Sequence, residues 1–216
     1  MIRENIWTMR ENLLIGDKYK EASDFLSKLD SDWKNLIKKN GPCNIKISFR
    51  LEPYQSLIKS VIFQQLHPRA GNAIFNRFLI LFNNKFPDAE SILKTSPLRI
   101  KSCGLSQNKL STIIEIASLR FNKTIPNTSE LNKISDSEII RLLTKIKGIG
   151  EWTVQMLLIF HLGRIDILPQ NDLAIRKNYR KFKKLDNLIT PKEIIEISKK
   201  WKPYRSVASW YLWSID

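Results

Sequence analysis

The sequence predicts an all-α fold, and three observations carry that prediction. Apolar residues recur at helical spacing, as in Ala22, Phe25, Leu26, Leu29, Trp33, Leu36 and Ile37. Helix-start chemistry separates the periodic stretches: Pro53 and Pro191 suit first turns, and Ser106 and Ser135 suit N-caps. No parallel-strand pattern, internal repeat or low-complexity tract interrupts the series.

The elements follow in order. Residues 1–16 read as an arm or a short strand packing on the domain through Ile6, Trp7, Met9, Leu13, Leu14 and Ile15. Asp17 to Asn40 reads as one helix, ended by Gly41-Pro42. Cys43 to Leu51 alternates loosely through Ile45, Ile47 and Phe49 and reads as an extended piece or linker. A helix from Pro53 runs to about Leu66, His67-Pro68 breaks it, and a second runs from near Arg69 to Phe82. Short helices cover Asp88 to Leu93 and Pro97 to Lys101, and Ser106 caps a long helix to Phe121. Pro126 to Ser135 reads as a loop. Ser135 and Glu138 then make a capping box for the next helix. Later helices run from Asp172 to about Tyr179, from Thr190-Pro191 to Lys200, and from Tyr204 to Ser214.

Composition narrows the function classes. A chain of 216 residues, 43% of them apolar, supports one large domain or two intimately packed lobes. Its 36 Lys and Arg against 21 Asp and Glu leave +15, which favours a polyanion, nucleic acid first. A generally basic surface is the plainer alternative. Two cysteines, Cys43 and Cys103, fit a reducing compartment without a disulfide framework and are too few for an iron–sulfur cluster. The scattered charges of MIRENIWTMRENLLIG do not make a secretory signal, and Val154 to Gly163 is too short to span a bilayer. An intracellular protein with no membrane partner is expected.

The chain is organised around one stretch. The apolar segment Ile139 to Ile146 runs into the Gly148-Ile149-Gly150 turn, and a second apolar segment, Trp152 to Leu162, follows at once. Glycines open backbone angles closed to other residues and let another backbone approach. The helix start after them attracts an anion such as a phosphate diester, with Lys145 and Lys147 alongside. A bare GxG reads more simply as a helix–helix turn with a glycine C-cap. The loop Pro169 to Asn171 then delivers an acid, Asp172, to the start of another helical pattern.

IKGIGEWTVQ followed by ILPQNDLAIRK resembles the helix-hairpin-helix DNA glycosylases, in particular the 3-methyladenine DNA glycosylase II branch. Three further stretches carry the resemblance: LIKSVIFQQLHPRAGNAIFNRF (57–78), CGLSQNKLSTIIEIAS (103–118) and WKPYRSVASWYLW (201–213). It covers roughly residues 50 to 216. The resemblance implies a two-lobed helical fold with an active-site cleft between the lobes. It implies a monofunctional enzyme that excises alkylated purines (3-methyladenine or 7-methylguanine type) from double-stranded DNA by water attack, initiating base excision repair.

Residue roles follow from the same resemblance. Asp172 matches the catalytic acid that stabilises positive charge on the sugar and orients water; read locally, it is a helix N-cap. Asp166 is the rival acid. Trp152 stands where strand-cutting relatives carry a Schiff-base lysine, so no lyase activity is expected. Trp152, Met156, Trp213 and Phe63 are the expected base pocket, with core packing expected of Trp152 in any case and the plainer reading for Phe63. An aromatic wall suits a cationic alkylated base. Leu66 matches the wedge that fills the stack behind a flipped nucleotide, flanked by Gln65 and His67; otherwise it is the last core residue of its helix. Lys147, Gly148, Ile149, Gly150, Thr153, Lys109 and Arg176 are the remaining expected DNA contacts, though a lone surface charge is commonly just solvated. His161 reads as ordinary core or surface. Arg205 reads as structural, bonding helix ends or a carboxylate across the lobe interface. Backbone carbonyls of Thr144, Ile146 and Ile149 are expected to hold a structural Na+ or K+; no catalytic metal and no iron–sulfur cluster are expected.

The expected organisation is an arm and helix (1–50) packing on the C-terminal lobe, a central lobe (51–162) with the hairpin at 139–162, and a C-terminal lobe (163–216) carrying the acid. A monomer is expected, acting in cytoplasm and nucleoid, or in a nucleus. Two other readings stay open: a glycosylase for deaminated or oxidised bases, and a non-catalytic DNA-binding protein that uses the hairpin alone.

Overall fold

The computed structural model describes residues 16–48 and 51–215, and every regular element among them is helical. The arm expected over residues 1–16 and Phe49 of the alternating segment lie almost wholly outside the described residues. Thirteen helices are labelled here: α1 (16–27), α2 (Ser31–Asn40), α3 (Pro53–Phe63), α4 (Pro68–Leu81), α5 (Ala89–Lys94), α6 (Pro97–Lys101), α7 (Gln107–Phe121), α8 (Thr128–Leu131), α9 (Asp136–Leu143), α10 (Glu151–Phe160), α11 (Leu173–Phe182), α12 (Pro191–Ile197) and α13 (Arg205–Trp213). A 3-10 turn, Ser198–Trp201, follows α12.

The helix expected over Asp17 to Asn40 is in fact two. Asp30 is extended, and its carboxylate accepts from the amides of Asp32 and Trp33, both at 3.0 Å, which starts α2 afresh. The loop expected from Pro126 to Ser135 contains α8, nucleated by a capping box between Asn127 and Glu130. The helix expected to reach Leu66 stops at Phe63, because Gln64 turns extended and Gln65 adopts φ +54°. Elsewhere the caps act where their chemistry places them: Ser106 accepts from Lys109 N, and Ser135 and Glu138 form their box.

The chain divides into two compact units. One comprises the described residues of Met1–Phe49 and Leu158–Asp216; the other is Arg50–Leu157, and α10 crosses the division. In the middle unit, α3 packs on α4 and α7. Leu57, Ile58, Val61 and Ile62 form its buried stripe, with Ile113, Ile116 and Ala117 from α7. Gly71 lets α4 pass close to Phe63, since a Cβ there would lie 2.5 Å from the ring. The other unit is built on α11 and α13, with edge-on aromatic contacts from Trp33 to Phe182 and Trp201. Lys183 bridges the carboxylates of Asp30 and Asp32 at 2.8 and 2.7 Å. No described helix is long and apolar enough to cross a membrane.

Candidate nucleic-acid interface and active site

The hairpin joins α9 to α10 within the middle unit. Ile146 and Ile149 are buried, and Ile149 N–H donates to Ile146 O at 3.0 Å, which fixes the turn from inside. Gly148 takes φ +86°, and a Cβ there would meet Thr112 Oγ1 at 2.3 Å, so only glycine fits. That closeness is built by α7. Thr112 Oγ1 lies 3.0 Å from Lys147 O, while Lys147 N–H donates to Glu115 Oε1 at 3.4 Å. Gly150 is the opposite case: a Cβ there would meet nothing within 4 Å, so its backbone faces open space. Lys145 and Lys147 are exposed beside it.

Next to the turn, in the same unit, lies a cavity of about 720 Å³. Ser60, Phe63 and Met156 line it together with Trp152, Thr153, Gly148 and Gly150, and the segment Gln64 to Leu66 closes one side. Trp152 is 43% exposed, far more than a core tryptophan. Phe63 packs against Phe75 with centroids 6.1 Å apart and rings tilted by 57°, and is half-buried. Gln64 Nε2 donates toward Gly148 O at 3.2 Å and Thr153 Oγ1 at 3.3 Å, tying this segment to the hairpin. Thr153 is buried, so its hydroxyl acts inside the unit. Leu66 is half-buried and lies beyond the end of α3, which removes its reading as the last residue of that helix. His67 is exposed and caps α4, its Nδ1 accepting from Arg69 N at 3.3 Å.

Asp172 belongs to the other unit and begins α11. Its Oδ1 accepts from Ile175 N at 3.1 Å, which is the N-cap, and Trp213 Nε1 donates to Oδ2 at 3.3 Å. The Trp213 ring lies 5.9 Å from that of Phe160, tilted by 32°. Trp213 is thus placed on the acid. The loop before Asp172 is pinned to the start of α13. Ile167 N donates to Ser206 Oγ at 2.9 Å, and Ser206 N donates to Ile165 O at 3.0 Å. Asp166, the rival acid, is spent on Arg205, which grips it through Nε at 2.7 Å and Nη2 at 2.9 Å. Arg205 is thus structural, and of its two expected partners, helix ends or a carboxylate across the lobe interface, it holds a carboxylate, one inside its own unit. His161 is buried, and burial lowers its pKa even though a hydrogen bond involving the Ser48 backbone opposes the shift.

Two of the expected phosphate contacts have partners inside the chain. Lys109 Nζ donates to Ile62 O at 3.0 Å and to Gln64 O at 2.8 Å, so its charge closes the end of α3. Arg176 Nη1 donates to Ile189 O at 3.1 Å, inside its own unit. A lysine or arginine on a helix carries no local mark of whether its head group finds a carbonyl elsewhere in the chain. Thr112, Glu115 and Gln64 were missed for the same reason. Among the described residues no group of three or more His, Cys, Asp or Glu side chains is placed to hold a metal ion.

A glycine hairpin between two helices, beside an aromatic-walled cavity in an all-α chain, defines the helix-hairpin-helix class. Residues 58–203 match the HhH-GPD superfamily of base excision DNA repair proteins, and the chain belongs to that family. It is 42% identical over 195 residues to DNA-3-methyladenine glycosylase 1 of Schizosaccharomyces pombe, covering 89% of this chain and 86% of the relative. An alkylbase DNA glycosidase-like protein of the same yeast is 37% identical over 199 residues, covering 91% and 93%. The fold is similar to that of a Schizosaccharomyces pombe 3-methyladenine DNA glycosylase in complex with abasic DNA. The TM-score is 0.82 at 41% identity, over 89% of this chain and 95% of that one. A DNA-3-methyladenine glycosidase from Bacillus halodurans gives 0.79 at 28% identity, over 89% and 87%.

Proposed function

We propose that this protein is a monofunctional DNA glycosylase that releases alkylated purines from double-stranded DNA and so opens base excision repair. One observation carries the reading: the cavity walled by Trp152, Phe63 and Met156 shares Gly148 and Gly150 with the hairpin. Grip on a phosphate and a seat for a base are thereby combined. The relatives' names point to the same substrate class.

The chemistry fits these residues. Alkylation at purine N3 or N7 makes the base cationic and its glycosidic bond weak. A half-exposed indole attracts that cation, at about 0.5–2 kcal/mol depending on desolvation. The phosphate is taken at the start of α10, where the helix dipole favours an anion and Gly150 leaves the approach clear. As the bond to the base breaks, positive charge gathers on the sugar, and the Asp172 carboxylate stabilises it and orients the attacking water. Trp213 and the α11 amide hold that carboxylate in one orientation. Trp152 occupies the position of the Schiff-base lysine in lyase relatives, so the product is an intact abasic site.

Methylated duplex DNA incubated with the purified protein should release free base and leave abasic sites that are cleaved only by added alkali. No base release, or a borohydride-trapped adduct at the yield of a lyase control, overturns the reading. A Na+ or K+ ion on the carbonyls of Thr144, Ile146 and Ile149 belongs to the same proposal. Hard carbonyl oxygens suit it, and Ile146 O keeps one lone pair beyond its bond to Ile149 N. Duplex affinity equal in lithium and potassium chloride at one ionic strength speaks against that ion.

A further inference from the structure

The segment Gln64 to Leu66 is held in an unusual shape. Gln64 is extended at φ −50° and ψ 130°, and Gln65 sits in the left-handed region at φ +54°. A non-glycine residue there costs about 1–3 kcal/mol unless its surroundings enforce it. Two tethers do so. From one side the Gln64 amide reaches Gly148 O and Thr153 Oγ1 of the hairpin region. From the other, Lys109 Nζ donates to Ile62 O and Gln64 O.

Both of those carbonyls belong to the end of α3. A helix C-terminus leaves its last carbonyls without intrahelical partners and carries partial negative charge, so a cation is favoured there. Had α3 continued through residue 66, Ile62 O would have accepted from Leu66 N; instead Leu66 N donates to Phe63 O at 3.2 Å. Lys109 supplies the missing donor and holds the Gln64 peptide at the same time. It is half-buried, and desolvation lowers its pKa, as expected for an ammonium turned inward. Beyond the clamp the chain presents exposed Gln65 and half-buried Leu66 at the cavity edge.

We propose that Lys109 is a positioning residue for nucleotide flipping: it clamps the end of α3 so that Gln65 and Leu66 are presented to the duplex, and it does not contact phosphate. The proposal rests on the base-excision reading above. It separates cleanly from a phosphate role. A phosphate contact weakens binding to every duplex and flattens the salt dependence, by roughly 0.9 in the log–log slope per contact. A clamp on the flipping segment matters only where a base must be pulled from a stable pair.

The experiment compares wild type, Lys109→Met, Lys109→Arg and Leu66→Ala. One alkylated base is placed in a paired, a mismatched and a single-stranded oligonucleotide, and single-turnover excision is measured. Undamaged-duplex affinity is followed from about 50 to 200 mM salt, the range over which phosphate contacts are read. Unstacking is followed independently of catalysis by the fluorescence of 2-aminopurine in saturated duplex complexes. Lys109→Met should lose about tenfold or more in the paired context and under about threefold in the other two, as Leu66→Ala does. Its salt slope should match wild type, its 2-aminopurine signal should fall, and Lys109→Arg should recover part of the loss. Equal loss in all contexts, or a slope reduced by one contact, overturns the proposal. If wild type unstacks the probe but releases no base, the excision reading fails, and the proposal is decided by the fluorescence of the variant. If wild type does neither, both fall. If Lys109→Met does not fold, Lys109→Gln, which keeps one donor, carries the same comparison.

Discussion

Asp172 shows how a single residue serves two ends. Its Oδ1 caps α11 and its Oδ2 accepts the Trp213 indole, so the carboxylate is held in one orientation. An asparagine keeps the capping oxygen, and the helix start with it, but loses the negative charge. Asp172→Asn should therefore fold and bind lesion-containing duplex within a few-fold of wild type, while single-turnover excision falls by about a hundredfold or more. Excision above about a tenth of the wild-type rate would remove Asp172 from the mechanism.

At the scale of the hairpin, two glycines two positions apart are used for different reasons. Gly148 faces inward, where Thr112 leaves no room for a Cβ and the backbone angle excludes other residues. Gly150 faces outward, with nothing of the protein within 4 Å of a built Cβ. Gly148→Ala should therefore lower stability, by about 1–3 kcal/mol from backbone strain before any clash is relieved. Gly150→Val should leave the melting temperature close to wild type yet weaken binding to damaged and undamaged duplex alike, because its side chain fills the approach proposed for the phosphate. Chemical denaturation beside fluorescence anisotropy tests both. A folded Gly150→Val that binds undamaged duplex as well as wild type would show that the hairpin is not the anchor.

For the molecule as a whole, stability should carry the signature of His161. Burial depresses its folded pKa below the ordinary value of 6.5, so the unfolded chain binds the proton first as pH falls. The contribution is intact above about pH 6.5 and is lost as pH drops below it. Asp30 does not confuse that window: although desolvation raises its pKa, Lys183 and the α2 amides pull it below 3.8, so its loss comes at lower pH. Thermal melts between pH 8 and 5.5 should fall toward acid, and His161→Gln should flatten the fall. An unchanged slope in that variant would assign the acid sensitivity elsewhere. The net charge of +15 acts at the same scale, drawing the protein to a polyanion at every pH in this range.

The sequence by itself determined the all-α class, most helix starts and the hairpin, because these are written locally. A 3.6-residue apolar period, a Ser or Asp before it and a glycine at a turn act through neighbours within a few positions. That is why α7 begins behind Ser106 and α9 behind its Ser135–Glu138 box. It also brought forward Trp152, Phe63, Met156 and Leu66, all of which line the cavity. Even at short range some signals were missed: Asp30 restarts a helix inside a continuous apolar period, and α8 rests on one box in a polar stretch. Tertiary structure alone decided where the cations go and what each polar group bonds. Lys109 reaches back 45 and 47 residues to Gln64 and Ile62, Trp213 reaches 41 to Asp172, and Arg205 reaches 39 to Asp166. Those pairings exist because folded helices bring orphaned carbonyls and carboxylates against long, flexible side chains. No spacing rule along the chain encodes which of 36 Lys and Arg residues ends beside which oxygen.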